Sequence, residues 1–166
     1  MRDAFIEVGV PEKDLGLKWP NDVLLKGGKI AGILLETAGV GPSHLCIGIG
    51  VNLAHAPSTR VLETTAVPPK SLAADAGLDV TAETFLTALA TAFATRERQF
   101  QQSGFEAIRR DWLQNAIRLG EIITARTLKE DIQGVFDTVD ETGALVLQAP
   151  SGSQSITAAE IFFGEC

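Results

Sequence analysis

Two kinds of apolar spacing divide the chain. Met1 to Val10 carries the spacing of the last turns of an amphipathic helix, with Gly9 and Pro11 as its stop signals. Leu17 to Trp19 then reads as a short strand and "DVLLKGGKIAGILLET" as two strands joined across Gly27 and Gly28. "HLCIGIGVNL" reads as a further, mostly apolar strand ending near Asn52. Strands that follow one another so closely predict a meander. From Ala54 to Pro69 the pattern lapses into Pro, Thr and Ser, which predicts a loop, and "SLAADAGL" predicts a short helix after it. Thr81 is placed to cap a longer helix in which Phe85, Leu86, Leu89, Phe93 and Phe100 fall on one face, expected to be core. Gly104 ends that helix, and a second one carries Phe105, Ile108, Trp112 and Leu113.

After Gly120 the period shortens. "EIITARTL", "IQGVFDTV", "ALVLQA" and "SITAAEIFF" are β-type runs separated by the turn-forming groups "KED", "DETG" and "PSGSQ". They predict a small all-β barrel or half-barrel whose core is too small to stand alone, so that it docks on what precedes it. No internal repeat or low-complexity segment interrupts this plan.

Composition narrows the function classes. With 166 residues, 45% of them apolar, the chain can bury a core of its own, and its formal charge of -7 lacks the basic patch of a non-specific nucleic-acid binder. No apolar run reaches the roughly 18 residues of a membrane span, and "MRDAFIEVGVPEKD" is too acidic and too short of apolar length for a signal peptide. The two cysteines, Cys46 and Cys166, suit a reducing compartment better than a disulfide framework, and neither has the histidine spacing of a zinc site. The expectation is a cytoplasmic protein that uses neither nucleic acid nor membrane.

The chemistry gathers between Gly16 and Glu36. Pro20 disfavours helix at Trp19, so Lys18 and Asn21-Asp22 flank a stiff turn at a strand end. Regular alternation puts Lys29, Ala31, Ile33 and Leu35 on one face of the following strand, with Ile30, Gly32, Leu34 and Glu36 on the other. Gly32 and the "GIGVN" of Gly48 to Asn52 put small residues on adjacent strands, where a ligand could lie against the sheet. Lysines at the rim of such a slot could hold a carboxylate or phosphate, and Asp22 or Asn52 could orient a metal-bound nucleotide. Spacing alone equally allows Lys18, Lys26 and Lys29 to be solvated hairpin lysines, Asn21-Asp22 to be turn formers and the glycines to serve packing. His44 and His55 read as isolated structural or solvent-facing residues.

"KWPND", then "KIAGILLE", then "IGIGVN" resembles the central part of biotin protein ligases in both order and spacing. The resemblance extends over nearly the whole chain. It implies an α+β fold: a class II synthetase-like mixed β-sheet with flanking helices, partial over residues 1–118, followed by a small SH3-like β-barrel over residues 119–166. It implies ATP-dependent activation of biotin to biotinyl-AMP, assisted by Mg²⁺, and transfer to a lysine of the biotin carboxyl carrier protein of acetyl-CoA carboxylase. Lys29 and Lys18 match the catalytic lysines. Lys29, Gly32, Leu34 and Gly48 match biotin-contacting positions, while Lys18, Trp19, Asn21, Asp22 and Asn52 match the nucleotide side, with Asp22 or Asn52 as the Mg²⁺ candidates.

Family ligases also carry an upstream Gly-Arg-rich segment around biotin and the adenylate, and it is not among these 166 residues. Little activity is therefore expected of this polypeptide alone. Uncovered strand edges should then favour a homodimer or a further N-terminal segment as partner. The other readings are a non-catalytic remnant serving as an interaction module, and a lipoate-type acyl ligase.

Overall fold

The computed structural model describes residues 1–37, 44–58 and 67–163. Part of the predicted loop from Ala54 to Pro69 lies outside these, as does Cys166. Helix α1 (Arg2–Glu7) ends where Gly9 takes a positive φ of 104° and Val10 N–H donates to the Phe5 carbonyl. Strands β1 (Leu15–Lys18), β2 (Asp22–Leu25), β3 (Gly28–Thr37) and β4 (Leu45–Val51) form an antiparallel meander in that spatial order. The β2–β3 turn is Lys26-Gly27, both at positive φ, one residue earlier than expected, and Gly28 is already in the strand.

Gly28 has no room for a side chain. A Cβ there would sit 2.7 Å from the Pro68 carbonyl oxygen, because the segment around Pro69 runs alongside Lys29 in a single parallel bridge. The helical turn Leu72–Ala76 follows, capped by Ser71, whose Oγ accepts from Ala74 N–H.

Helix α2 (Ala82–Leu113) begins at Thr81, whose Oγ1 accepts from Thr84 N–H, and is interrupted at Gly104, where φ is 69° and ψ is -174°. The expected core face of its first half needs correction. Phe85, Ala88, Leu89 and Ala92 pack on the core, whereas Leu86, Phe93 and Phe100 are half or more exposed. The two sets lie on different stripes: the first follows the i, i+3, i+4, i+7 face, and the second repeats every seven residues about 100° away. Phe5 and Phe85 meet with ring centroids 4.9 Å apart at the centre of this first core.

The second half of α2 leads to the other sheet, with strands β5 (Ile122–Arg126), β6 (Asp131–Val139), β7 (Leu145–Ala149), β8 (Gly152–Ile156) and β9 (Glu160–Phe162). Their spatial order is β8-β7-β6-β5-β9, antiparallel throughout. The last predicted run is thus two strands, and part of the expected "PSGSQ" turn belongs to β8. The fold is α+β as expected. Among the described residues the parallel component is limited to two isolated bridges, at Leu17–Ala116 and Lys29–Pro69, and the second sheet is open rather than closed into a barrel.

A second core, including Ile123, Phe136, Leu145 and Leu147, fills that sheet and takes in Trp19 from the first. Residues 115–117 complete the joint by lying along β1, with Leu17 N–H donating to Asn115 and Ile117 N–H to Leu17. Among the described residues, no helix is long and apolar enough to cross a membrane.

Candidate active site

Register decides which side chains share the face turned away from the helices. Lys18 pairs with Asp22, Asp22 with Gly32, Gly32 with Gly50, and Leu34 with Gly48. Residues directly opposed in a ladder point to the same side, so Lys18, Asp22, Gly32 and Gly50 form one row across four strands, with Leu34 and Gly48 the next pair on the same face. Gly32 and Gly50 leave its β3–β4 end without side chains.

Lys29 joins the row by an irregularity that alternation does not reveal. Val23 pairs with Ala31 and Leu24 with Lys29, so Ile30 is an extra residue, and both Ile30 and Ala31 are buried. Such a bulge moves every residue on one side of it to the other face. Lys29 was expected opposite Gly32; instead its Nζ lies 2.6 Å from Asp22 Oδ1, and a Cβ on Gly32 would stand 3.2 Å from the Lys29 stem. Asp22 is mostly buried while Lys29 is nearly half exposed. Burial lowers the pKa of Lys18, and Lys29 lowers it further, against the opposing pull of Asp22 and Glu160. Lys18, Asp22 and Lys29 therefore make one coupled charge cluster at the end of the glycine strip.

Three of the expected residues build this site without facing it. Asn21 holds β3 in place: its side-chain amide donates to the Ile33 carbonyl, and its own carbonyl accepts from Ile33 N–H at 3.0 Å. Asn52 donates through Nδ2 to the Lys70 carbonyl at 2.9 Å, tying the segment after Pro69 to the sheet. Trp19 is 6% exposed, and its Nε1–H donates to the Gly143 carbonyl at 3.1 Å, so its indole belongs to the second core. The structure thus brings together Lys18, Asp22, Lys29, Gly32, Leu34 and Gly48, and turns Trp19, Asn21 and Asn52 to structural tasks. Sequence reading missed Gly50 as a member of the row, although "GIGVN" contains it, and it missed Glu160, for which no local signal exists.

The donor set bears on the expected cation. Asp22 fits as a single carboxylate ligand of a Mg²⁺ otherwise bound by phosphates and water, the usual arrangement for that ion. Asn52 spends its Nδ2 on the backbone carbonyls of Lys70 and Lys29, and Oδ1 is the atom it would offer a cation. No group of three or more His, Cys, Asp or Glu that could hold a metal occurs among the described residues. The lysine face is open. A cleft of about 230 Å³ lies between α2 and strands β2 and β3, lined in part by Asn21, Asp22, Val23, Ile33, Arg96 and Asp111, so that Asp22 borders it while Lys18 and Lys29 do not.

Two family models match the chain: the biotin/lipoate A/B protein ligase family over residues 6–52, and the biotin protein ligase C-terminal domain over residues 119–164. A biotin--[acetyl-CoA-carboxylase] ligase of Paracoccus denitrificans is 51% identical over 156 residues, covering 93% of this chain and 65% of that relative. The bifunctional ligase/repressor BirA of Bacillus subtilis is 31% identical over 150 residues, covering 89% of this chain and 46% of that one. The chain thus spans between about half and two thirds of these relatives' length. Among solved structures, a biotin protein ligase from Aquifex aeolicus aligns with a TM-score of 0.75 at 22% identity, over 95% of this chain and 66% of that one. The same ligase in complex with biotin and ATP aligns at 0.71, with 21% identity, over 96% and 68%. At such identities the structural likeness concerns the fold.

Proposed function

The chain belongs to the biotin protein ligase family, and on that premise we propose that its lysine face is the biotin and nucleotide wall of a biotin-activating site. The observation that carries this is the row itself: Lys18, Asp22 and Lys29 clustered at the end of a strip that Gly32 and Gly50 keep bare. A flat, side-chain-free strip suits an elongated ligand lying against the backbone, and a lysine pair at its end suits the ligand's anionic end.

In this reading the biotin ring system lies over Gly32, Leu34 and Gly48. Its carboxylate reaches Lys29, which exchanges Asp22 for the incoming anion. The carboxylate oxygen attacks the α-phosphorus of ATP, the bond to the β-phosphate oxygen breaks, and pyrophosphate leaves with the electron pair. Lys29 and Lys18 stabilise negative charge that grows on the phosphoryl oxygens. Asp22 would hold the Mg²⁺, which when bound offsets charge on the phosphates. A deprotonated lysine amine of a biotin carboxyl carrier protein then attacks the mixed anhydride carbonyl, forming an amide as AMP leaves. The chain contributes position and charge, and no covalent enzyme intermediate is required. Trp19, Asn21 and Asn52 serve this chemistry by fixing the strands that carry the lysines.

Residues 1–118 act as the ligand-bearing part and the residues from 119 onward as its C-terminal companion. Water must be excluded from an acyl-adenylate, and an open face excludes little. The bare row therefore works with a covering surface, either further strands or a second copy. The exposed edge strand β4 favours a second reading as well, an interaction module that pairs through that edge without catalysis.

Calorimetry of biotin with MgATP decides between them. The ligase reading expects binding by the purified chain that Lys29→Ala removes; unchanged affinity in that variant would refute it. The purified chain alone is expected to transfer little biotin to a carrier domain, and robust ATP-dependent transfer would overturn the need for a cover.

A further inference from the structure

Phe163, the residue after β9, meets two cations. Lys18 Nζ and Arg118 Cζ each lie 5.4 Å from the centroid of its ring. An aromatic face attracts a cation within about 6 Å, more strongly as water is excluded. Lys18 and Phe163 stand with Trp19, Ile117 and Ile161 along the seam where the two sheets join. Glu160, three residues earlier on β9, adds a carboxylate whose field also reaches Lys18. A lysine head on a four-carbon stem has many rotamers, so an ammonium is directed only when something holds it.

We propose that Phe163 is a positioning residue for Lys18: its ring holds the ammonium beside Asp22, so that the second sheet completes the anion-binding end of the first. The reading of the lysine face as a nucleotide site supplies the identity of the anion, and the proposal rests on it to that extent. The charged groups around Lys18 are Asp22 from β2, Lys29 from β3, Glu160 from β9, and Arg118 across the ring. Phe163 is the uncharged member of the set, and its ring lies between Lys18 of the first sheet and Arg118 of the segment leading into the second.

The test uses the full chain and reads Lys18 directly. Competitive labelling of amines with acetic anhydride across a pH series, resolved by mass spectrometry, gives the labelling rate and titration midpoint of Lys18, with Lys26 as internal reference. Phe163→Leu keeps bulk but removes the π face. It is expected to raise the Lys18 rate and move its midpoint to lower pH, and Phe163→Trp, with the stronger π face, is expected to lower the rate and raise the midpoint above the parent's. Glu141→Gln, in an exposed turn, should leave Lys18 unchanged. A Lys18 rate and midpoint that are the same in Phe163→Leu as in the parent would overturn the proposal. If the leucine variant loses its thermal transition, Phe163→Trp decides alone: a better cation–π face must raise the midpoint above the parent's, and no change refutes the role.

In calorimetry, Phe163→Leu should weaken MgATP about twofold to fivefold while biotin affinity holds, the size expected for one exposed cation–π contact. A labelling shift with unaltered MgATP affinity would sink the positioning role for the anion. A parent chain that binds no MgATP would instead break the functional reading, and the labelling result would still decide whether the ring places Lys18.

Discussion

The two sheets are both antiparallel meanders, but they treat their edges differently. In the five-stranded sheet the edge strands β8 and β9 have only five and three residues, and the apolar side chains of β7 and β9 point into one core. Short edges are a common protection against unwanted pairing. The four-stranded sheet covers one edge, where residues 115–117 pair with β1, and ends at the other in β4, seven residues long with Leu45, Ile47 and Ile49 exposed. Leu34 and Leu35 on β3 are likewise more than half exposed. The sheet that carries the proposed chemistry is the one left open. The sheet without chemistry has short edges and a core of its own, and it lends the first its end residues.

Trp19 is where this contrast can be broken most severely. Trp19→Ala is expected to cost about 3–5 kcal/mol of unfolding free energy in denaturant titration, because the indole fills the second core from the β1–β2 turn of the first sheet. A loss under about 1 kcal/mol would mean the sheets are energetically separate. Next in size is Leu147→Ala, buried in the second core, expected to cost about 2–4 kcal/mol. If the sheets are joined as described, one transition is lowered rather than a new early one appearing.

Arg96 offers a smaller probe on the first sheet's side. It pairs with Asp3 and Asp111, each at 2.6 Å, and so ties α1 to both halves of α2. Its side chain is 40% exposed, so after solvent screening Arg96→Met should cost about 1 kcal/mol, with the loss shrinking in high salt.

On the second sheet, Asp140 accepts from the Thr142 hydroxyl and N–H, the Ser155 hydroxyl and Ala144 N–H, and these bonds pull its carboxyl down to about 2 from 3.8. A depressed carboxylate stabilises the fold above its ordinary value and ceases to do so as pH falls through the depressed one. Asp140→Asn should therefore melt earlier than the parent at neutral pH, and the two should converge as pH falls from about 4 to about 2. A gap that persists at the acid end would contradict this.

The smallest effect on stability belongs to the open edge. Ile47→Lys should change unfolding free energy by no more than about 0.5 kcal/mol. It should also abolish concentration-dependent association in sedimentation, if β4 is where copies or further strands pair. Association that survives the lysine would move the contact elsewhere.

Local pattern carried the existence and order of the strands through residues 15–37, but not the face of Lys29, which the extra residue at Ile30 reverses. Alternation and the turn-forming Lys26-Gly27-Gly28 are short-range signals, and the Thr81 cap and the Gly104 break were legible for the same reason. Sequence motifs also picked out most of the row, because Lys18, Asp22, Gly32 and Gly48 lie on strands that pair in simple order. What stayed hidden was set at long range. The partner of the Trp19 indole is 124 residues away, at Gly143, and nothing near Trp19 announces it. Leu86, Phe93 and Phe100 looked like core because an apolar repeat says which residues align, but not which stripe meets a neighbour. Phe163 and Glu160 come to Lys18 only through the docking of the second sheet.

The extra residue at Ile30 changes the parity of β3. In an unbroken strand, positions separated by an odd number of residues can never serve the same ligand from the same side. One inserted residue changes the parity of everything across it, and lysine and glycine three apart become partners. For strand-borne sites of this kind, odd spacing between two residues that must act together is a fingerprint of an insertion between them. Regularising the strand with Ile30 kept would leave every functional residue of the motif present and the pair on opposite sides of the sheet, whereas deleting Ile30 would set the two at even spacing and keep them on one side.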